Sequence, residues 1–509
     1  MSQAVIEQQT TGKLPELSKG WVWTTVENCV DILDGKRVPV NEEEREKRIA
    51  GKPKSQLVPY YGATGQVGWI DDFLFEEELL LVGEDGAPFL EPAKHKAYII
   101  KGKTWVNNHA HVLRAVCDLT SNAYLCYYLN FFDYHGYVTG TTRLKLNQAP
   151  LRKIPVPLPP LPEQRRIVAK IEELFTKLDA GVEALKKTKA LLKRYRQAVL
   201  KAAVEGRLTK EWREAHKGEL EPASALLERI LKERRDKWEA EQRAKGKDPK
   251  KLKYKEPVAP DTSRLPELPK GWVWAVVDQL APTASGGTPS RKRPEYFDGN
   301  IPWLKSGELN DGLVTDTKER ITKEALDNSS AKIFPKGTLL IALYGATVGK
   351  LGILELDAAT NQAICAIFLP LHVNTKYIFY YFMKIRKVII RTGKGGAQPN
   401  ISQEMVNKIA VPLPPLPEQH RIVEEVERRL SIADEVEAII EANLKRAERL
   451  RQSILKKAFG GKLVPQDPSD EPASVLLERI KTEKAKREAE KKATKRQKTK
   501  SVKEQMRLM

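Results

Sequence analysis

The sequence predicts an α+β protein in which two globular α+β domains stand in tandem, each followed by a long helix. The two helices are expected to pair as an antiparallel coiled coil, giving a pseudo-twofold object. Three observations predict this. VPLPPLPEQRRIV at 156–168 returns at 411–423 as VPLPPLPEQHRIV, changed at one position. The flanking blocks return as well: LPELSKGWVW (14–23) as LPELPKGWVW (265–274), AVLKAAVEGRLT (198–209) as SILKKAFGGKLV (453–464), and EPASALLERI (221–230) as EPASVLLERI (471–480). Offsets of 250 to 255 residues are too long for a solenoid repeat and mark a duplicated large unit. Last, apolar residues after each proline block fall at alternating four-three spacing, the pattern of a coiled-coil seam.

Each copy opens on GWVW and closes on the proline block, and between these the copies diverge while keeping one order of elements. YGATGQVG (61–68) lines up with YGATVGKLG (344–352). Alternating stretches such as KAYIIKGKTWV and NQAICAIFL then read as strands, NAYLCYYLNFF and KYIFYYFMKIRKVII as helices, and GTTRLKLNQ and GKGGAQPNISQ as loops. Two modules of like construction with unlike surfaces result.

In PLPPLPEQ the prolines fix an extended approach. Pro162 and Pro417 suit a first helical turn, and Glu163 and Glu418 suit a helix N-terminus. The first seam runs through residues 167, 171, 174, 178, 182, 185, 192, 195, 199 and 202, with Thr188 as an interruption aligned to Asn443. The second runs through Ile422, Val426, Val436, Ile440, Leu450 and Ile454, with Arg429 as a flaw. Gly206 and Gly460–Gly461 end the helices. Each helix is about 45 residues, roughly 65–70 Å at the α-helical rise. That length outruns a module and favours pairing of the helices over packing of each on its own module. The proline block then serves as hinge and cap rather than as a proline-rich peptide ligand.

At 509 residues the chain is too long for one core. The net charge of +20 is unevenly spread. Residues 14–158 carry 17 Lys+Arg against 18 Asp+Glu, residues 265–413 carry 18 against 13, and the remainder lies in helices, linker and tail. The tail from 481 has 12 Lys+Arg against 4 Asp+Glu and reads as a solvated or frayed helix. Cys29, Cys117, Cys126 and Cys365 form no CxxC pair, which disfavours a disulfide framework or zinc knuckle and fits a reducing compartment. No apolar signal core opens the sequence and no apolar run reaches spanning length, so a soluble cytoplasmic protein is expected.

Catalytic signatures are not found. GATVGKLG has the wrong glycine spacing for a phosphate loop and no Ser/Thr after Lys350. There is no DPPY- or NPPY-like motif and no GxGxxG after a strand. His109 and His111 alternate on a predicted strand near Cys117, where packing or nucleic-acid contact is favoured over zinc.

GGTPSRKRPEYFDGNIPWLKSGEL (286–309), IALYGATVGKLG (341–352), GGAQPNIS (395–402) and the doubled PLPPLPEQ with its long helix give the chain a resemblance to the specificity (S) subunit of type I restriction-modification systems. The resemblance covers about nine-tenths of the chain by order of features. It implies a first target recognition domain at 14–158, a central spacer helix at 159–208 and a charged helical linker at 209–264. A second target recognition domain follows at 265–413, then a distal spacer helix at 414–463 and a basic tail at 464–509. The implied function is reading of a bipartite, asymmetric double-stranded DNA target, one half per module. Two methyltransferase (M) subunits would dock on the helices and methylate adenine, and restriction (R) subunits would join for cleavage. No cofactor is expected on this chain; S-adenosylmethionine, magnesium and ATP would belong to the partners.

Side chains suited to base edges and phosphates give the candidate DNA contacts. In the first module these are Tyr61, Thr64, Arg143, Lys145 and Asn147. In the second they are Arg291, Lys292, Arg293, Lys305, Tyr344, Thr347, Lys350, Gln398, Asn400 and Ser402. The last three are the counterparts of Arg143, Lys145 and Asn147. The first module lacks the GGTPS…IPWLKSG stretch and carries NEEEREKR there instead. Partner docking is expected at Pro160, Leu161, Pro162, Glu163 and Gln164 and at Pro415, Leu416, Pro417, Glu418 and Gln419. The reading from another class is a coiled-coil scaffold joining two protein-binding modules; sequence-specific DNA binding separates the two.

Overall fold

The computed structural model describes residues 14–116, 120–393, 400–483, 485, 486 and 489. The chain forms two compact units, Met1–Lys186 with Ile440–Met509, and Lys187–Ile439. Each unit thus draws on both copies of the repeat.

In the first unit, strand Val22–Thr25 of the GWVW block pairs antiparallel with Pro155–Leu158 of the proline block, closing the module at its base. The prolines are tolerated because the pair is an isolated two-stranded ribbon with free edges. Between these strands lie two four-stranded sheets. One has the order Val30–Ile32, Ala110–Ala115, Leu79–Gly83, Ala97–Ile100; the other Gly65–Ile70, Val58–Gly62, Lys103–Val106, Phe75–Glu76. LLLVG at 79–83 is buried throughout, as a strand covered on both faces must be. Leu80 and Val82 face the core built with helix Asn122–Phe131, whereas Leu79 and Leu81 face Val106 and Phe75 of the second sheet.

The second unit repeats this plan. Val273–Val276 pairs with Ala410–Leu413. A five-stranded sheet has the order Thr283–Ser285, Ile364–Ile367, Leu339–Ala342, Leu351–Leu354, Gly312–Val314, and a four-stranded sheet Glu319–Ile321, Ile301–Leu304, Ala358–Thr360, Ile333–Phe334. Leu339 and Ile341 face the core under helix Thr375–Thr392, and Leu340 and Ala342 face the other sheet.

The two long helices are Leu161–Val204 and Leu416–Phe459. Within the first unit Ile167, Ile171, Leu174 and Phe175 share a core with Ile454, Leu455, Ala458 and Phe459, and Arg451 ion-pairs with Asp179. Within the second unit Val199, Leu200 and Ala203 pack with Ile422, Val423 and Val426, and Arg196 bridges Asp434 at 2.6 Å and Glu437 at 2.8 Å. Rising numbers on one helix meet falling numbers on the other, so the pairing is antiparallel. Gly206 and Gly461, both at φ 64, end the helices. The Arg207 and Lys462 N–H groups then reach back to the Ala202 and Lys457 carbonyls at 2.9 and 2.8 Å, as in a Schellman motif.

The seam departs from its expected register in two places. Tyr195 and Leu450 are 40% and 48% exposed, and their neighbours Arg196 and Arg451 turn to the partner helix. A helix of 3.6 residues per turn drifts about 20° per heptad against a 3.5 repeat, which moves the contact line by one residue. The EPAS segments also pack. Ala223, Leu226 and Ile230 join the core of the second unit beside Trp272, and Ala473, Leu476, Leu477 and Ile480 join that of the first with Trp21. The Ala223 N–H donates to the Gly271 carbonyl at 2.9 Å, and Ala473 N–H to Gly20 at 3.0 Å. The predicted tail from 481 falls largely outside the described residues.

Candidate nucleic-acid interface

Backbone hydrogen bonds gather four separate segments of the first module at one edge. The Asn107 N–H donates to the Tyr61 carbonyl at 3.0 Å, Glu84 N–H to the His109 carbonyl at 2.7 Å, and Leu146 N–H to the Glu84 carbonyl at 2.7 Å. The turn after Tyr61 lies against the same place: a Cβ on Gly83 would stand 3.0 Å from the Ala63 carbonyl. Tyr61, Thr64, Arg143, Lys145 and Asn147, far apart in sequence, are thus brought together. Thr64, Arg143, Lys145 and Asn147 are exposed, and Tyr61 is half-buried against Tyr98, ring centroids 5.9 Å apart. Asn147 precedes helix Gln148–Lys153 but makes no side-chain cap, so its amide is not consumed there.

Acidic side chains that sequence reasoning passed over hold this edge. Asp85 takes Arg143 Nη2 at 3.1 Å and His109 Nδ1 at 2.6 Å, and Glu84 takes Lys145 at 3.5 Å and Arg37 at 2.7 Å. Beneath them His111 is buried between Asp34 Oδ2 at 2.6 Å and the Leu146 carbonyl at 2.7 Å, and Gln148 donates to Asp34 at 3.0 Å. Burial alone would raise the Asp34 carboxyl; the His111 bond and charge, the Val112 N–H and Arg37 outweigh it and hold the group below its ordinary range. Asp34, Glu84 and His111 each offer a ligand atom within 4.8 Å of the others. Arg37 already bonds both carboxylates and both ring nitrogens are engaged, so the cluster acts as an ion-pair network that fixes the loop. Cys117, considered with these histidines, lies outside the described residues.

The second module builds the same edge. The Asn361 N–H donates to the Leu304 carbonyl at 2.9 Å, Leu343 N–H to Ala363 at 2.7 Å, and Ile401 N–H to Leu343 at 2.8 Å. These three bonds match those of Asn107, Glu84 and Leu146, and they correct the expected alignment of the two YGAT turns. Tyr61 corresponds to Leu304, and Tyr344 to Asp85. Four shared letters carried less weight than position in the sheet: Tyr61 lies on a strand of one sheet, while Tyr344 follows a strand of the other. The correspondence of Lys145 with Asn400 and of Asn147 with Ser402 is supported by the same bonds.

Lys305, Tyr344, Thr347, Asn400 and Ser402 sit at this edge. Lys305 and Arg291 share Glu319, which draws the basic cluster toward it, and Arg291 also lies 4.0 Å from the Phe297 ring centroid. Arg293 bonds the Tyr296 hydroxyl at 2.8 Å, and Lys292 is exposed. The Lys350 ammonium instead clasps Asp311 at 3.0 Å, a carboxylate that also binds Arg386. GATVGKLG runs on into strand Leu351–Leu354, not into a helix. The Ser402 hydroxyl caps helix Gln403–Asn407 by accepting the Met405 N–H at 3.1 Å, which gives it a structural duty. Gln398 lies outside the described residues. Asn108, Asn361 and Gln362 also occupy the edges and were passed over; the paired carboxamides Asn107–Asn108 and Asn361–Gln362 before a strand were the available signal.

The residues expected to dock partners are mostly turned inward. Pro160, Pro415, Glu163, Gln164, Glu418 and Gln419 are buried. Glu418 accepts the Trp272 indole N–H at 2.8 Å and the Thr209 hydroxyl at 2.7 Å, and Glu163 accepts the Trp21 indole at 3.1 Å. Gln164 and Gln419 accept the Ser121 and Asn374 N–H groups and donate to the Pro159 and Pro414 carbonyls. The Glu-Gln pair therefore ties each long helix to its module, and this bonding requirement explains why the motif is repeated so closely. Leu161 and Leu416 are half-buried; Pro162 and Pro417 are the exposed members.

The profile of the type I restriction modification DNA specificity domain matches residues 19–193 and 269–446. The chain is 26% identical over 519 residues to the type I restriction enzyme EcoBI specificity subunit of Escherichia coli, covering 95% of this chain and 96% of that protein. To the EcoDI specificity subunit of Escherichia coli it is 27% identical over 449 residues, covering 84% and 89%. The HsdS subunit from Thermoanaerobacter tengcongensis has a similar fold, with TM-score 0.51 and 16% identity over 88% of this chain and 99% of that one. A chain solved for the complex assembly and conformational transition of the type I R-M system reaches TM-score 0.60 at 17% identity, covering 88% and 100%.

Proposed function

The chain belongs to the type I restriction modification DNA specificity family, and on that premise we propose that it reads a bipartite, asymmetric DNA target, one half per module. One observation carries this reading. The same four-segment edge is built twice on the same backbone bonds, with different side chains each time. A duplicated scaffold with diverged contacts is what two unlike half-sites require.

On each edge, arginine and the carboxamides supply guanine and adenine readout, while lysines and hydroxyls position the backbone. Arg143 is already paired with Asp85, so reaching DNA exchanges one anion for another instead of desolvating a bare cation. That pairing also accounts for a reading edge in a module whose net charge is −1. The chain itself is non-catalytic in this account. Methyltransferase subunits dock on the long helices near Pro162 and Pro417 and methylate adenine, and restriction subunits cleave. S-adenosylmethionine, magnesium and ATP act in those partners, and the complex works in the cytoplasm. Among the described residues no helix is long and apolar enough to cross a membrane.

Exchange of residues 24–150 for the corresponding module of a relative tests the assignment. One half of the methylated motif should change and the other should stay. A change in both halves, or in neither, would contradict it.

A further inference from the structure

Each reading edge carries one more side chain suited to a base, at the same position in both modules. Two residues after the Asn107-to-Tyr61 and Asn361-to-Leu304 bonds, the His109 and Ala363 carbonyls accept from Glu84 and Leu343. The residues between, Asn108 and Gln362, are therefore structurally equivalent, and both are exposed. Their neighbours differ in chemistry: Glu84 stands against Leu343, Asp85 against Tyr344, Lys145 against Asn400, His109 against Ala363. A carboxamide kept amid such divergence is explained by what the amide does.

The adjacent pair, Asn107 and Asn361, has a structural duty in the first module, where Asn107 Oδ1 accepts the His109 N–H at 2.9 Å. Asn108 has none. Arg37 holds its backbone carbonyl at 3.4 Å, and among the described residues its side chain has no hydrogen-bond partner. In the second module the Thr288 hydroxyl donates to Gln362 Oε1. One lone pair of that oxygen and both amide N–H groups stay available, so the threonine orients the carboxamide without using it up. An oriented donor–acceptor pair of this kind matches the N6 and N7 edge of adenine in the major groove.

We propose that Asn108 and Gln362 each read an adenine, one in each half of the target. The proposal rests on the DNA-reading function argued above. Its test is adenine-methylation mapping with wild type, Asn108→Ala, Gln362→Ala, and the equal-sized Asn108→Asp and Gln362→Glu, each in complex with its methyltransferase subunits. Asn108 variants should relax one position in one half-site, and Gln362 variants one position in the other. For the two alanine variants, which change no charge, affinity for the cognate duplex should fall about 10- to 100-fold, with the salt dependence and the melting temperature unchanged. An unaltered motif and affinity in both variants would overturn the proposal. So would uniform weakening on every duplex with a shallower salt slope, which marks a phosphate contact. If wild type itself gives no motif, the underlying DNA-reading assignment fails, and that result is distinct from an unaltered motif in the variants.

Discussion

Glu418 shows how much a single buried side chain does in this protein. Burial raises its carboxyl pKa, and the Thr209 and Trp272 bonds only partly offset that. A carboxyl raised in the folded state favours folding below its unfolded value, and stability is lost as the pH rises from there through the folded value. Glu418→Gln imitates the protonated form, so its thermal stability should equal wild type in acid and exceed it near neutrality. Glu418→Ala leaves the Trp272 indole unpaired and should cost the second unit about 2–3 kcal/mol by denaturant melting. Asp34 has the opposite sign. Its lowered carboxyl contributes stability above the ordinary carboxylate range, lost as the pH falls through the folded value. Asp34→Ala should cost the first unit about 3 kcal/mol by stranding His111, and wild type should lose that advantage in acid while the variant stays flat. The repeat of PLPPLPEQ was legible in the sequence and the burial of its Glu-Gln pair was not. A glutamate after proline is equally at home on an exposed first helical turn, and the tryptophans that bind these carboxylates lie 142 and 146 residues away.

At the scale of elements, each unit is completed by a helix end from the other copy. Phe459 packs edge-on to Tyr124 and Tyr128 of the first module, with centroids 5.5 and 5.1 Å away, in a core that Ile454, Leu455 and Ala458 also enter. Phe459→Ala should therefore cost the first unit about 3–5 kcal/mol and leave the second unit's melting transition in place. Truncation after residue 464 removes Ala473, Leu476, Leu477 and Ile480 from the same core. It should lower that transition selectively, as followed by proteolysis of the first module; equal loss in both units would contradict the packing. Helices were the most legible elements, because a four-three stripe persists over 44 residues. The register within them was less so, since a drift of one residue, about 100° around the helix, moves Arg196 inward in place of Tyr195. Strand partners were least legible. YGAT recurs by coincidence at two different places in the sheets, and only ladder position reveals that Tyr344 matches Asp85.

For the molecule as a whole, the duplication was written plainly in the sequence, and with it the expectation of two reading modules. The candidate edges were legible only in part. Arg143, Lys145 and Asn147 stood out by residue type, whereas Asp85 and Glu84, which hold them, look like ordinary loop acids until the strands bring them together. On the proposed function, this chain alone sets a two-part DNA address for its partners. The most direct test is adenine-methylation mapping by direct DNA sequencing, with this chain co-expressed with its methyltransferase subunit in a methylation-free host. A single split motif with two unlike halves is expected, absent when the chain is omitted. Methylation that is absent with the chain present, or unchanged without it, would rule out the DNA-reading role and favour a protein-binding scaffold.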